Sequence, residues 1–458
     1  MDERKKEILR DPLRCLLTSR VRGAALIALC AAACCALFAA VLALCAGVQG
    51  IGVIALVAAL CLGVLLWGAH ATLGEESEAA VWLCVALLGA LAIGAHLALL
   101  GIRPGRWSSV LSPLLDNMWN YDLLTAAAWE EGSWSGGYLL VCALVSRLES
   151  FPQMTALKLF DLVCQCLCGA AVARLALARK AKRTGAVAGM MACVLAPTML
   201  FNAGCWLHCD AMFAMFALWG LLFIVKDKPL AGCALWGLAL GTKLQSAFLF
   251  PLLIPMFMKR KVSLRHLLVL AAAAVACQAA ILLDRQGLSA LVMRYSMQLE
   301  SARESIGLGD HAPGVFGLMK IASVREFSGM GLYFGVATAL LVALALLRVK
   351  DGASGEVWLL GAWLLAAGLP LVLPQMNARM LYLAGMLAFA LAGNARRLLA
   401  CALLEFVSLC GYMASIFGAE ILPIRVLSLL AIAAALLILL EATQAMQAEK
   451  EDADGQAA

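Results

Sequence analysis

The stretch MLFNAGCWLHCDAMFAMFALWGLLFIV, residues 199 to 225, decides the fold, because a short polar turn interrupts sequence apolar enough to lie in a lipid bilayer. The same alternation of long apolar runs and short polar connections continues along the chain in both directions. Of the 458 residues, 64% are hydrophobic and only 14% are charged, and the mean hydropathy is +0.92. Soluble globular domains do not have this composition. The sequence therefore predicts an integral membrane protein.

Apolar runs long enough to cross ~30 Å of hydrocarbon as helices recur from residue 24 to residue 441. They lie at 24–46, 51–70, 79–100, 156–176, 185–202, 211–226, 264–284, 330–348, 356–373, 380–393, 396–417 and 424–441, with two shorter runs at 229–242 and 246–258. We therefore predict an all-α polytopic membrane protein with about 12 to 14 transmembrane helices. Residues 24–441 would form one membrane domain, preceded by a cytoplasmic lead (1–23) and followed by a polar cytoplasmic tail (442–458).

Lysine and arginine clusters predict the orientation, because they favour the cytoplasmic side of a membrane. The clusters lie at 5–22, 179–183, 226–228, 259–265, 348–350 and 396–397. They predict a multi-pass membrane protein with both termini in the cytoplasm. The segments 101–155 and 285–327 then become the large outer loops, and the first of them is rich in tryptophan. Tryptophan favours the membrane–water interface, so we expect short interfacial helices in 101–155.

Three polar residues within apolar sequence point to a functional site. Asp210 ends the polar turn, and Lys243 and Gln245 lie inside GLALGTKLQ, residues 237 to 245. Inserting an ionisable group at membrane depth costs about 2.5–3.5 kcal/mol on insertion scales, and such groups commonly mark the pathway of a substrate or an ion. An alternative role for Asp210 is to cap a helix that begins at Ala211. An alternative for Lys243 is to extend its side chain to the membrane interface.

Four motifs resemble, in order, the multi-spanning glycosyltransferases of the C superfamily, most closely the mannosyltransferase-like membrane proteins related to the second GPI mannosyltransferase. They are KLFD (158–161), NAGCWLHCD (202–210), GLALGTKLQSAFLFP (237–251) and LPQMNARMLYLAG (373–385). The resemblance implies a C-superfamily architecture, a sugar donor carried on a polyprenyl phosphate, and an outward-facing site in a bacterial plasma membrane. It also implies inverting transfer assisted by an acidic residue of the first outer loop.

The chemistry of such a transfer indicates which residues would act. A base must take the proton of the acceptor hydroxyl, and positive charge must stabilise the departing phosphate. Arg106 stands where the family has its catalytic aspartate, so Asp116 and Asp122 are the candidate catalytic acids. Substrate-binding candidates are Lys158, Asn202, Trp206, His208, Asp210, Lys243, Gln245 and Arg379. Lys158 has the alternative of pairing with Asp161 one helical turn away.

Three functional hypotheses follow. The first is a membrane glycosyltransferase that transfers a sugar, with mannose as one candidate, from a polyprenyl phosphate to a glycan, lipid or protein acceptor on the outer side. The second is a catalytically silent relative that binds lipid-linked sugar or a partner, and the third is a lipid or sugar transporter. The net charge of +6 is dispersed over the loops, which argues against nucleic acid as a partner. We expect no cofactor and no tightly bound metal, because no acidic pair has ligand spacing.

Overall fold

The structure is a computed structural model. It describes residues 50–74, 79–105, 107–129, 134–283, 289, 292–297, 312–319, 324–349, 354–374 and 376–455. The predicted lead (1–23), the first apolar run (24–46), Arg106 and most of the outer loop 285–327 lie outside these residues.

The prediction of an all-α membrane protein is confirmed, since every regular element among the described residues is a helix. In chain order the α-helices are α1 (Ile51–Leu73), α2 (Ala79–Ala98), α3 (Ser112–Trp119), α4 (Leu123–Ala127), α5 (Gly136–Ser146), α6 (Gln153–Ala178), α7 (Arg183–Leu195), α8 (Pro197–Phe201), α9 (Asp210–Val225), α10 (Pro229–Thr242), α11 (Leu253–Met258), α12 (Leu264–Cys277), α13 (Ala279–Leu283), α14 (Val315–Leu318), α15 (Val324–Leu347), α16 (Gly355–Val372), α17 (Tyr382–Leu391), α18 (Ala395–Phe417) and α19 (Ile424–Gly455). Two π-helical turns (Trp107–Leu111, Asn202–Trp206) and two 3-10 segments (Leu244–Leu252, Ala378–Leu381) connect some of them.

Eight helices in the described part of the chain are long and apolar enough to cross a membrane. They are α1, α2, α6, the run from Arg183 to Trp206, α15, α16, α18 and α19. Shorter apolar helices occupy the remaining predicted runs, so every run predicted from residue 51 onward contains a helix. The number of complete crossings beyond these eight stays a prediction.

Helices α16 and α17 form the centre of the bundle. Nearly every residue of both helices is buried, which is typical of helices surrounded by other helices. Around them α6, α9 and α18 contribute to one large apolar core. Helices α1 and α2 pack on the other side of α6 as a second apolar cluster, whereas α15 is mostly exposed and faces the surroundings of the bundle.

Glycines allow α10 and α12 to approach closely near the polar turn. A Cβ added to Gly237 would lie 2.2 Å from the Leu270 carbonyl oxygen, and one added to Gly241 would lie 2.3 Å from the Cβ of Cys277. Small residues at such contacts are the usual way for membrane helices to pack backbone against backbone. This packing fixes the end of α10, directly before Lys243.

The segment 101–155, called the first outer loop after its predicted position, folds into short helices, as predicted. The turn at Trp107–Leu111 and helices α3, α4 and α5 enclose a small apolar core that includes Leu115, Met118 and Tyr138. The guanidinium of Arg147 donates to the backbone carbonyls of Met118, Trp119 and Tyr121 and so holds α3 in place. The interfacial position of these helices stays a prediction, because it depends on a membrane.

Among the described residues, the basic clusters at 179–183, 226–228, 259–265 and 396–397 lie together at one end of the bundle. Arg183 donates to the Leu73 carbonyl at 2.8 Å, and Arg179 to the carbonyls of Ala390 and Ala392, each at 2.8 Å. At the same end Lys261 pairs with Asp227 at 2.7 Å. The Arg397 guanidinium lies 2.8 Å from Glu441 and also pairs with Glu356. Clustering at one end is what a single cytoplasmic face would require.

We predict that this basic end faces the cytoplasm. Cysteine introduced at the exposed Lys182 should react with a membrane-impermeant maleimide only after cells are opened, because basic loops are retained inside. Cysteine at the exposed Asn117, in the first outer loop, should react in intact cells. Both variants need a background without the exposed native Cys84. Labelling of position 182 in intact cells, with none at position 117, would show that the orientation is the reverse of the predicted one.

Candidate functional site

A strained turn brings the two ends of NAGCWLHCD together. The π-helical turn Asn202–Trp206 is followed by Leu207 in the left-handed conformation, with φ of 56°, which is uncommon for a residue other than glycine. This reversal lets the Asn202 side-chain amide donate to the Asp210 carboxylate at 2.9 Å. Such backbone conformations persist only where the surrounding structure holds them, and they occur often at functional sites.

Asp210 is the centre of the site. Its side chain is fully buried, and its carboxylate is contacted by the Asn202 amide, the His208 ring and the Lys243 ammonium. The His208 Nδ1 lies 3.3 Å from one carboxylate oxygen, and Lys243 forms a close ion pair with the same oxygen. Helix α9 begins at Asp210 itself, and side chains rather than backbone N–H groups engage the carboxylate. The alternative that Asp210 caps a helix beginning at Ala211 is therefore not seen among the described contacts.

Lys243 points into the bundle. Helix α10 ends at Thr242, and Lys243 adopts an extended backbone with φ of −158° before the 3-10 segment begins. This break turns its side chain toward Asp210, where its ammonium lies 5.2 Å from the centre of the Phe213 ring. Only 8% of the residue is exposed. The alternative that Lys243 reaches out to the membrane interface is therefore wrong for this structure.

Arg379 is connected to Asp210 through two aromatic residues. Its guanidinium carbon lies 5.6 Å from the centre of the Trp206 ring, and Trp206 packs edge-on against Tyr412 at 5.3 Å. The Tyr412 hydroxyl accepts a hydrogen bond of 2.6 Å from Asn202, which also binds Asp210. The structure thus gathers Asn202, Trp206, Asp210 and Arg379 into one cluster.

Gln245 ties the same region to the last motif. Its side-chain amide donates to the Met380 carbonyl at 2.8 Å. Four buried polar atoms nearby have no hydrogen-bond partner among the described residues: Asn202 Oδ1, Gln245 Oε1, Ser246 Oγ and Arg379 Nη1. Native proteins satisfy most such atoms, so these four are available to a polar ligand or to water.

His208 links the site to the first outer loop. Its ring packs against Trp134 at 5.1 Å and is nearly parallel to the Tyr138 ring at 6.3 Å. Sequence patterns did not identify Tyr138, Tyr412 or Phe213 as part of the site. Each lies within an apolar run, where an aromatic residue is not distinguishable from a core residue.

Lys158 has structural contacts, and its substrate-binding role stays a prediction. Its ammonium donates to the carbonyls of Leu99 at 2.7 Å, Leu100 at 3.3 Å and Ile102. These carbonyls follow the end of α2 and lack helical partners, so Lys158 completes that end. The alternative of an ion pair with Asp161 is also not seen among the described contacts, since Asp161 Oδ1 is buried without a partner.

The two predicted catalytic acids lie in the first outer loop and are exposed. Asp122 caps α4: it accepts from the backbone N–H groups of Leu124 and Thr125 and from the Thr125 hydroxyl at 2.7 Å. The Thr125 side chain first, and then its backbone, lower the pKa of Asp122 below its usual range, which weakens it as a base. No described contact joins Asp116 or Asp122 to the Asp210 cluster, and their catalytic role stays a prediction.

His208, Cys209 and Asp210 are the one described group whose ligand atoms lie close enough for a metal ion, within 4.8 Å of one another. Metal binding there would require a thiolate and an unprotonated His208 nitrogen. The Lys243 ammonium already pairs with the Asp210 oxygen that would face the ion. Because the Lys243 ammonium already neutralises this carboxylate, the geometry does not favour a metal centre.

Comparisons with known proteins add no assignment to this geometry. No known family model matches the chain, and no curated protein is similar enough to be matched.

We predict that Asp210 and Lys243 depend on each other for stability. Removing one member of a buried ion pair leaves an uncompensated charge, which costs about 3–5 kcal/mol. Asp210→Asn and Lys243→Met should therefore each lower the thermal stability in detergent strongly. The double variant should recover a large part of the loss, and a strictly additive loss would show that the two residues do not act as a pair.

We predict that Lys158→Met destabilises the fold without weakening ligand binding at the Asp210 cluster. It removes the ammonium that donates to the carbonyls of Leu100 and Ile102, at a cost of about 1–3 kcal/mol for an unsatisfied buried group. Thermal unfolding in detergent measures the loss, and exposed Lys182→Met is the matched control. Weaker binding of a phosphate-containing ligand with unchanged stability would show that Lys158 belongs to the binding site.

Proposed function

We propose that this protein is a membrane glycosyltransferase that transfers a sugar from a polyprenyl phosphate to an acceptor at the outer face of the membrane. One observation carries the proposal: the cluster combines two cationic side chains, Lys243 and Arg379, with buried polar atoms that lack partners. The cluster lies at the end of the bundle opposite the basic clusters. The resemblance of the four motifs to C-superfamily enzymes supports the same assignment.

The cations fit the phosphate of such a donor. Arg379 Nη1 is buried and has no partner in the described part of the chain, so it can donate to a phosphate oxygen without losing an existing bond. Lys243 would exchange its pairing with Asp210 for the phosphate. Charge-assisted hydrogen bonds of this kind stabilise both the bound donor and the phosphate that departs during transfer.

The neutral polar atoms fit sugar hydroxyl groups. Asn202 Oδ1 and Gln245 Oε1 are acceptors, and both are buried without a partner among the described residues. Trp206, which is only half-buried, offers an aromatic surface beside them. A few convergent polar groups within apolar surroundings are typical of small-molecule sites.

A binding protein without transferase activity is the second candidate. It is favoured by the exposure of Asp116 and by the capping contacts of Asp122, because neither carboxylate is held against the cluster. Such a protein would use the same cations and polar atoms to hold a lipid-linked sugar. Donor binding is common to both candidates, and only transfer separates them.

The experiment measures binding and transfer separately in purified protein in lipid nanodiscs. Radiolabelled polyprenyl-phosphate mannose should bind, and Arg379→Met should weaken binding by about 10- to 100-fold, as expected for a lost charge-assisted hydrogen bond of about 1.5–3 kcal/mol. Arg396→Met, at the basic end and largely exposed, is the matched control and should bind normally. Sugar transfer from a nucleotide sugar, or equal donor binding by Arg379→Met, would overturn the proposal.

Transfer to a lipid or glycan acceptor then separates the two candidates. If Asp116 or Asp122 is the base, its replacement by asparagine should lower the transfer rate by ~10²–10⁴ while donor binding is retained. Donor binding without transfer to any acceptor would favour the binding protein. Unchanged transfer by a variant with both replacements would exclude both carboxylates as the base.

A further inference from the structure

His208 is placed to act on a substrate as well as to bind one. It lies in the turn between Trp206 and α9, and 10% of its side chain is exposed. Its Nδ1 lies 3.3 Å from Asp210 Oδ1. An ionised carboxylate only accepts hydrogen bonds, so Nδ1 carries the ring proton in this contact. Nε2 of the neutral ring is then the unprotonated nitrogen.

Cys209 contacts the same ring nitrogen and does not change this assignment. Its Sγ lies 3.2 Å from His208 Nδ1. A thiol is a weak donor and a weak acceptor, whereas the Asp210 carboxylate is charged and therefore makes the stronger hydrogen bond. Both polar contacts between the ring and the described residues involve Nδ1. Nε2 therefore has no hydrogen-bond partner in the part of the chain that the structure describes.

Two aromatic residues fix the plane of the His208 ring. The centre of the Trp134 ring lies 5.1 Å from that of His208, and the Tyr138 ring is nearly parallel to it at 6.3 Å. Trp134 and Tyr138 also stack on each other at 5.2 Å. Together with the Asp210 contact, this packing defines the position of Nε2. Proton transfer requires such a position, because a base must lie within hydrogen-bond reach of the proton that it takes.

The charges around His208 favour a base that becomes stronger when a donor binds. Burial first, and then the charge of Arg379, lower the pKa of His208 below its usual range, so the ring is neutral before the donor arrives. Under the proposed function the donor phosphate compensates Arg379 and draws Lys243 away from Asp210. Asp210 then lacks its ammonium partner, and an imidazolium at His208 would replace that positive charge. The opposing charges weaken at the step at which the proton must be accepted.

We propose that His208 is the catalytic base of the transfer, with Asp210 as the residue that positions it. The acceptor oxygen forms a bond to the anomeric carbon while the bond between that carbon and the phosphate oxygen breaks, and the electron pair of the broken bond leaves with the phosphate. The acceptor proton moves to Nε2, and Asp210 stabilises the imidazolium that forms. This role rests on the proposed function, whereas the protonation of Nδ1 does not.

Replacement of His208 by glutamine tests the base. His208→Gln keeps hydrogen-bonding groups but cannot accept a proton as an imidazole does. It should lower the rate of transfer from radiolabelled polyprenyl-phosphate mannose by ~10²–10⁴ and retain donor binding, because Nε2 acts on the acceptor. His70→Gln, which replaces an exposed histidine of α1, is the matched control and should keep both. Transfer at the unchanged rate by His208→Gln, or an equal loss of binding and transfer, would overturn the proposal.

Chemical rescue separates a base from a structural residue. His208→Ala leaves a space against Trp134 and Tyr138 that free imidazole can enter. Added imidazole should restore a large part of the transfer by His208→Ala and should have no such effect on Arg379→Met. Thiazole has nearly the same shape but is a much weaker base, and general-base catalysis follows base strength. Equal recovery with thiazole and imidazole would show that the ring only fills space and would overturn the proposal.

Nitrogen NMR tests the arrangement without any activity. The chain has 5 histidines, so isotopic labelling of histidine gives few signals, and those missing from His208→Gln belong to His208. At neutral pH they should show a protonated Nδ1 and an unprotonated Nε2. Cys209→Ala should keep this pattern, and Asp210→Asn should change it, because an amide is a weaker acceptor than a carboxylate. A protonated Nε2 in the unchanged protein would overturn the proposal.

The failure of this proposal can be distinguished from the failure of the proposed function. Loss of transfer in Asp116→Asn or Asp122→Asn, together with full transfer in His208→Gln, would keep the transferase and overturn the role of His208. Absence of transfer by the unchanged protein to any acceptor would overturn the transferase and the catalytic base together. The NMR signals would then still show whether Asp210 holds the proton of His208 on Nδ1.

Discussion

The ion pair between Asp210 and Lys243 is the interaction on which the site depends. Neither group is tolerated alone among apolar helices, because an isolated buried charge costs several kcal/mol. The pair therefore constrains the backbone on both sides. Leu207 adopts its left-handed conformation so that Asp210 can face inward, and α10 ends at Thr242 so that Lys243 can reach it. Two segments that are separated in the sequence are thus held together because each buried charge needs the other as its partner.

Helix α18 connects this pair to the opposite end of the bundle. Its polar residues Arg397, Glu405 and Tyr412 recur at helical spacing along one side. Arg397 pairs with Glu441 and Glu356 at the basic end, Glu405 accepts from the Thr198 hydroxyl, and Tyr412 accepts from Asn202 in the site. Each contact specifies a different neighbour, because a polar side chain in an apolar bundle is stable only against its own partner. Helix α18 is thereby fixed in rotation, and Tyr412 is fixed against Asn202.

The fold could be predicted from the sequence because hydrophobic length is a direct requirement of the bilayer. The charged residues of the site could be identified for a related reason: Asp210 and Lys243 are conspicuous within apolar runs. Their proximity is also expected, because each charge alone is costly in lipid. The direct ion pair could not be predicted, since it depends on the left-handed Leu207 and on the packing of α10 against α12. The structural contacts of Lys158 could not be predicted, because the sequence does not reveal that the carbonyls after α2 lie within its reach. Tyr138 and Tyr412 could not be identified from the sequence, because an aromatic residue in a binding site looks the same in sequence as one in an apolar core.

The same charge requirement limits how the site can work. With Lys243 bound to Asp210, the cluster is electrically balanced except for Arg379, whose Nη1 is buried without a partner among the described residues. An anionic group entering beside Arg379 would compensate that remaining charge first, before Lys243 moves. Any further approach of the anion to Lys243 transfers the charge imbalance to Asp210, which would then lose its ammonium partner. The order of contacts, Arg379 before Lys243, therefore follows from charge balance alone and applies to a transferase and to a binding protein alike.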